Sequence, residues 1–302
     1  GTYRLLSFDE LWKKSGFDES EHMFSVRTRS ADEEYGNGVH QWYCGMQDAG
    51  GVLQKGPWVG NRFHWYCLFD NEDYRITKGV KHRFQYDSQV KNGRGYYYPG
   101  TPEYKLMATG KNMDDVKVQE PVAPFNDGLT YTNSISSNCL AFTTKYADVT
   151  DPTIGRTDAY WPFLRYADIV LIYAEAQCEL NDGISQDAID ALNDIRIRSN
   201  AKEASVTGDG AIETKVELRS VIFEERAKEL AYEGDRRWDL LRWGIYLDVM
   251  NSLGGINEDG TRTPYDEGSI NKRREFRHLL YPLPSLEVST NMAIDKNNPG
   301  WN

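Results

Sequence analysis

Cysteine is scarce. Only Cys44, Cys67, Cys139 and Cys178 occur among 302 residues, and no two of them form a CxxC pair. One spacing resembles a ligand set, His40-x3-Cys44 followed by His64-x2-Cys67, since two His and two Cys can ligate zinc. The long aromatic interval between the two pairs is unlike a compact zinc loop, so no metal is expected. A Cys44–Cys67 disulfide is open if the protein is exported. Basic residues are also short: 35 Lys and Arg against 46 Asp and Glu leave a net charge of −11. Nucleic acid is therefore not expected as a partner, because phosphate contacts need a surplus of cations on one face. No apolar run is long enough to span a bilayer, and no apolar signal region follows Gly1. An export signal or anchor is expected outside this chain. GxGxxG, GxxxxGK[ST] and GxSxG are all missing, which removes the usual phosphate cradles and nucleophile elbow. No cofactor is expected.

Aromatics are abundant instead. They make up 13% of the chain, with 8 Trp and 19 Tyr, more than core packing alone asks for. Flat exposed rings are good binding platforms. The chain changes texture near residue 160. Residues 1–160 are rich in Gly, Asn, Asp and Tyr. They predict short helices around Ser7–Ser15 and Arg62–Leu68, brief strands at Met23–Arg27 and Leu140–Tyr146, and long ordered loops. Residues 161–250 predict helices. Leu164, Ala167, Ile169, Val170, Tyr173, Ala174, Gln177 and Leu180 form an apolar stripe at helical spacing up to Gly183. Cys178 lies inside that pattern as a core residue. Ser185 can cap a second helix through Ile189, Leu192 and Ile195, and Thr214-Lys-Val-Glu217 has the form of a capping box opening a third. Gly234 ends the third helix, and a fourth follows from about Arg236. Two helix–turn–helix units in succession, each near the tetratricopeptide period, predict stacked hairpins. Residues 251–302 form an irregular tail.

These residues carry a resemblance. RYADIVLIYAEAQ at Arg165–Gln177, ALNDIRIRSNA at Ala191–Ala201, EERAKELAYEGDRRWDLLRWG and LLYPLPSLEVSTN…NNPGW resemble the signature blocks of the SusD/RagB family. GTYRLLSFDELW, EHMFSVR, DNEDYRI and KYAD at Lys145–Asp148 fit as well. The resemblance implies one SusD-like domain, mainly α, with tetratricopeptide-type hairpins, a loop-rich irregular portion and few short strands. It implies a lipid-anchored protein of the Gram-negative outer membrane that captures oligo- or polysaccharide and hands it to a TonB-dependent, SusC-like transporter. The hairpins would pack on that transporter. Family members are longer at the N-terminus, where the lipidated cysteine and the first helical repeats lie, so the chain resembles the C-terminal portion of such a protein.

The stretch from Phe223 to Gly244 packs eleven charged residues around Trp238 and Trp243. A glycosidase would need two of its carboxylates as acid and base about 5–9 Å apart. Glu225, Glu229 and Glu233 instead share one helical stripe with Arg226 among them. A neighbouring arginine lowers the pKa that a general acid needs raised. The expectation is a structural charge network of Glu225, Arg226, Glu229, Glu233, Arg236 and Asp239. In it Glu233 would reach Arg236 or Arg237, Asp239 would reach Arg242, and the two tryptophans would be packing residues. No catalytic residue is assigned.

The candidate ligand-binding residues lie in the aromatic loops: Gln41, Trp42, Tyr43, Trp58, Asn61 and Arg62, with Tyr97 in a second loop. Sugars offer flat C–H faces ringed by hydroxyls, so stacking rings beside amide and guanidinium groups suit them. The rival reading is a helical-repeat scaffold without a glycan site of its own. Trp65 is expected in the core, and Asp73 or Asp70 is expected to pair with Arg75.

Overall fold

The computed structural model describes residues 2–18, 20–30, 36–48, 53–55, 58–59, 65, 68–70, 72–81, 83–85, 92–95, 130–131, 142–251 and 274–301. The described residues through Gly234 form one compact unit, and those from Asp235 onward form a second.

Helices dominate the first unit in residue number, and strands are short. The helices are α1 (Phe8–Leu11), α2 (Val39–Cys44), α3 (Tyr74–Thr77), α4 (Tyr166–Leu180), α5 (Gln186–Arg198) and α6 (Lys215–Glu229). The strands are β1 (His22–Val26), β2 (Met46–Gln47), β3 (Leu53–Lys55), β4 (Val80–Lys81), β5 (Arg83–Gln85), β6 (Asn92–Gly95), β7 (Thr130–Tyr131), β8 (Phe142–Thr143) and β9 (Trp161–Arg165). β1 pairs antiparallel with β9, β2 with β3, β4 with β8, and β5 with β6, while β7 joins β6 in parallel.

The helical part follows from its apolar periodicity. α4 buries Ala167, Val170, Leu171, Ala174 and Cys178, a stripe at three- and four-residue spacing. It packs against Ala188, Ile189, Leu192 and Ile195 of α5 and Leu218 and Ile222 of α6, a hairpin of the tetratricopeptide kind with a third helix across it. Ser185 caps α5 by accepting the Ala188 amide, and Thr214 and Glu217 form a complete capping box on α6. α4 ends at Leu180, before Gly183, and α6 ends at Glu229. Gly234 follows at φ +100°, a conformation that favours glycine.

Along α6 the buried face changes character: Leu218 and Ile222 give way to Glu225, Arg226 and Glu229. Two further clusters complete the first unit. One gathers Leu6, Phe8, Leu11, Trp12 and Phe17. The other gathers Val39, Cys44, Leu53, Phe142, Tyr146 and Ala159.

The second unit holds α7 (Arg236–Arg242), α8 (Tyr246–Asn251), a 3-10 turn at Phe276–Leu279 and α9 (Ser285–Thr290). Its residues meet through arginine and rings. Arg237 lies over Tyr246 and Tyr281, donates to the Tyr246 hydroxyl at 2.6 Å, and also donates to the His278 carbonyl at 2.9 Å. Trp238 is not the buried packing residue expected from the sequence: it is 57% exposed, with Tyr281 beside it.

Candidate functional site

The charged stripe of α6 is neutralised from outside its own helix. Arg165, fully buried where β9 becomes α4, meets Glu21 at 2.6 Å, Glu229 at 3.0 Å and Glu233 at 2.7 Å. Glu229 also takes Arg198 at 2.5 Å, and Glu233 takes Lys145 at 2.6 Å. Glu225 lies between Arg75 at 2.5 Å and Arg196 at 2.7 Å, and Asp73 holds Arg75 at 2.7 Å. Arg226 turns to Asp168 of α4 at 2.7 Å. Glu233 therefore reaches Arg165 and Lys145, partners from outside its own segment. Helical spacing within one segment does not reveal partners that β9 and the loops bring in. Arg236 and Asp239 belong to the second unit, where Arg236 lies over the Trp243 ring and Asp239 pairs with Arg242 at 3.0 Å.

These carboxylates are poor acid catalysts. Burial would raise the Glu229 carboxyl, but the guanidiniums of Arg198, Arg165 and Arg75 outweigh it and hold it well below the usual range. Glu225 and Glu233 behave alike, burial being overcome by Arg75 and Arg196 for the first and by Arg165 and Lys145 for the second. The network fastens β1, β9, α3, α5 and α6 into one joint.

Burial also keeps His22 neutral. Its ring stacks on Phe17 at 4.2 Å, its Nε2–H donates to the Leu11 carbonyl, and burial pushes its pKa down to about 4. Unfolded, the same side chain takes a proton near 6.5; folded, it resists until about 4. The native state therefore loses stability as pH falls through that window, by up to about 3 kcal/mol for this residue. The depressed carboxylates of α6 extend the loss at lower pH. Denaturant midpoints at pH 7, 5.5 and 4.5 should fall in that order, and His22→Gln should flatten the trend; equal midpoints would contradict this assignment.

The exposed aromatics lie elsewhere. α2 is short and held at many points. The Asn37 and Thr157 backbones bridge each other, His40 Nδ1–H donates to the Tyr146 carbonyl at 2.8 Å, and the Cys44 thiol donates to the Thr143 carbonyl at 3.1 Å. Cys44 is a free, buried thiol whose pKa burial pushes up to about 12, so it forms no disulfide here. Cys67 and His64 lie outside the described residues.

On this anchored turn Trp42 points outward, 43% exposed, and Trp58 lies beside it at 73%. Their ring centroids are 6.5 Å apart with planes 24° from parallel. The Trp42 carbonyl accepts the amides of Trp58 and Val59, each at 2.9 Å, which ties the second ring to the first. Two large apolar faces held open to water on a rigid backbone are costly unless something covers them.

Gly38 makes room for Trp42: a Cβ there would stand 2.8 Å from the indole. Gly38→Ala should displace that ring, changing the near-ultraviolet circular dichroism while the melting temperature moves by a few degrees at most. An unchanged indole signal would show that the contact does not hold the ring.

The other candidates divide. Gln41 is half-buried, its amide against Gly155 where a Cβ would come within 2.9 Å of Oε1. Tyr43 turns inward to Tyr146, Trp161 and Tyr232 at 5.3–6.0 Å, and burial raises its hydroxyl pKa. It is a packing ring, not a partner of the indole pair. Trp65, half-buried, donates to the Ala227 carbonyl at 2.7 Å and stacks edge-on against Phe69. Asn61, Arg62 and Tyr97 lie outside the described residues. Among the described residues no cluster of three or more His, Cys, Asp or Glu is arranged to hold a metal ion.

The chain belongs to the SusD family, matching SusD_RagB over residues 48–301. Among curated proteins it is similar to the SusD-like proteins P2 and P38 of Formosa agariphila. P2 is 33% identical over 46% of this chain and 25% of its own length, and P38 is 36% identical over 45% and 25%. Among solved structures it is similar to a SusD homologue from Bacteroides thetaiotaomicron, with TM-score 0.64, 20% identity, all of this chain and 56% of that one. Another is the surface glycan-binding protein A from the same species in complex with laminarihexaose, with TM-score 0.57, 19% identity, 98% of this chain and 56% of that one. The chain thus spans little more than half the length of these solved relatives, and its match covers a quarter of the curated ones. At these identities the structures speak to the fold: mainly helical, SusD-like, with short strands.

Proposed function

We propose that the chain binds oligo- or polysaccharide without cleaving it, with Trp42 and Trp58 as the stacking surface. The observation that carries this reading is the pair of exposed, near-parallel indoles on a fixed turn. Pyranose C–H faces stack on such rings, and neighbouring polar groups take the hydroxyls. Gln41, Asn61, Arg62 and Tyr97 are the candidates for that polar and flanking role, and Tyr43 supports α2 from behind. Family membership and a relative solved with laminarihexaose support a glycan as the ligand. The Arg-neutralised carboxylates of α6 support a binding rather than a hydrolytic role. The wider setting we infer is the outer cell surface, reached through a lipid anchor. There the glycan would pass to a TonB-dependent, SusC-like transporter.

A panel of soluble glycans, laminarihexaose among them, titrated against intrinsic tryptophan fluorescence tests the proposal. Saturable quenching with unchanged reducing-end content over hours supports binding without cleavage. New reducing ends would refute the non-catalytic role, and no response to any glycan would refute binding by this chain.

A further inference from the structure

α2 is six residues long, too short to hold its own shape, so the aim of Trp42 depends on what grips the turn. His40 and Cys44, four apart, fasten one face of it. Tyr43 fastens its flank, and one ring that it meets edge-on, 5.7 Å away, is Tyr232.

Tyr232 stands in an unusual conformation. Its φ is +69°, and the other non-glycine residue at positive φ among the described residues is Asn200. Asparagine visits that left-handed region readily, whereas a bulky side chain there is strained. A helix stop is not reason enough: α6 already ends at Glu229, and glycine or asparagine would serve a stop without strain. Such strain persists only where the surroundings fix it, and it gathers at binding and functional positions. The surroundings here do fix it. The Tyr232 carbonyl accepts the Tyr146 hydroxyl at 2.8 Å, and the next residue, Glu233, is held by Lys145 at 2.6 Å and Arg165 at 2.7 Å. The Tyr232 ring also meets Trp65 edge-on at 5.6 Å, and Trp65 donates its indole N–H to the Ala227 carbonyl of α6 at 2.7 Å. A continuous line of contacts therefore runs from α6 through Trp65, Tyr232 and Tyr43 to α2, where the adjoining residue is Trp42.

We infer that Tyr232 is a positioning residue of the indole surface: its ring, aimed by the left-handed backbone, sets the angle at which α2 presents Trp42 beside Trp58. It acts through Tyr43. Its bearing on affinity rests on the glycan reading; its bearing on the indoles does not.

Two substitutions separate ring from backbone. Tyr232→Asn keeps a residue suited to the left-handed region and removes the ring, whereas Tyr232→Phe keeps the ring. The asparagine variant should change the near-ultraviolet circular dichroism of the indoles. Its melting temperature should stay within about 5 °C of the parent, because relief of strain offsets part of the lost packing. The phenylalanine variant should match the parent in both. Against the panel glycan that binds best, Tyr232→Asn should lose about tenfold in affinity and Tyr232→Phe less than about twofold. Added to Trp58→Ala, Tyr232→Asn should cost less than it does alone, since half of the pair it aligns is gone; a merely structural role would give full additivity. If the asparagine variant does not fold, Tyr43→Leu opens the same contact from α2 without touching the strained residue, and the same indole change and loss are expected. A parent-like indole signal and affinity in Tyr232→Asn, with binding lost in Trp58→Ala, would overturn the inference and leave the glycan reading intact. Full additivity in the double variant would overturn it too. Binding absent from the parent itself would remove the glycan reading, and an unchanged indole signal in Tyr232→Asn would then still decide against the positioning role.

Discussion

Replacing Arg165 with methionine is expected to cost about 3–5 kcal/mol of folding stability, the range found when one partner of a buried ion pair is removed. The mechanism is specific. Methionine fills much of the space but leaves Glu21, Glu229 and Glu233 close together in the interior, with Lys145, Arg198 and Arg75 as the remaining nearby cations. The carboxyls of Glu229 and Glu233, which Arg165 helps hold low, must then rise, so the variant should gain stability on mild acidification over the range where the parent loses it. Urea unfolding at pH 7 and 5.5 reads both effects. A second variant separates charge loss from misfolding: Arg165→Met combined with Glu233→Gln should recover part of the loss, because one uncompensated charge disappears with the arginine. A loss below 1 kcal/mol at pH 7 would contradict the view that this residue organises the joint.

That joint shows what a sequence reveals and what it hides. The helices of residues 166–229 were legible because an apolar stripe at three- and four-residue spacing has few other solutions, and because Ser185 and Thr214 carry their caps in plain view. The structural character of the α6 carboxylates was legible too, since arginines interleave them. Their partners were not. Arg75, Arg165 and Lys145 lie far away in sequence, and pairing across such distances is decided by β1–β9 pairing and the loops around α3 and β8. A local signal did exist: in RYADIVLIYA the one carboxylate near Arg165 is Asp168, too few acceptors for the five donors of a buried guanidinium, which must find others elsewhere.

The aromatic loops were legible as a class and not residue by residue. Trp42 and Tyr43 are adjacent and chemically alike, yet one residue step along a helix separates their directions by about 100°. One ring meets water and the other joins Tyr146 and Trp161. Gly38, which leaves space for the Trp42 indole, gave no signal by composition because the region is rich in glycine.

The second large effect concerns that indole pair. Trp58→Ala is expected to weaken binding of whichever panel glycan binds best by about 2 kcal/mol or more, roughly 30-fold, the scale seen when an aromatic anchor of a contact surface is truncated. Trp42→Ala should act in the same direction. Because Trp58 is 73% exposed, its removal should leave the melting temperature within a few degrees of the parent. Titration calorimetry with the parent, Trp58→Ala and Tyr43→Phe separates the roles: the first change should abolish most of the affinity and the second should leave it within about threefold. Equal losses in both would point to a general loosening of α2 instead of lost stacking.

The most direct measurement is a crystal structure of the chain soaked with the tightest-binding oligosaccharide of the panel. The account predicts a pyranose ring lying flat against Trp42 or Trp58, with at least one hydroxyl taken by a neighbouring side-chain amide or guanidinium. Sugar density on another surface, with both indoles bare, would contradict it.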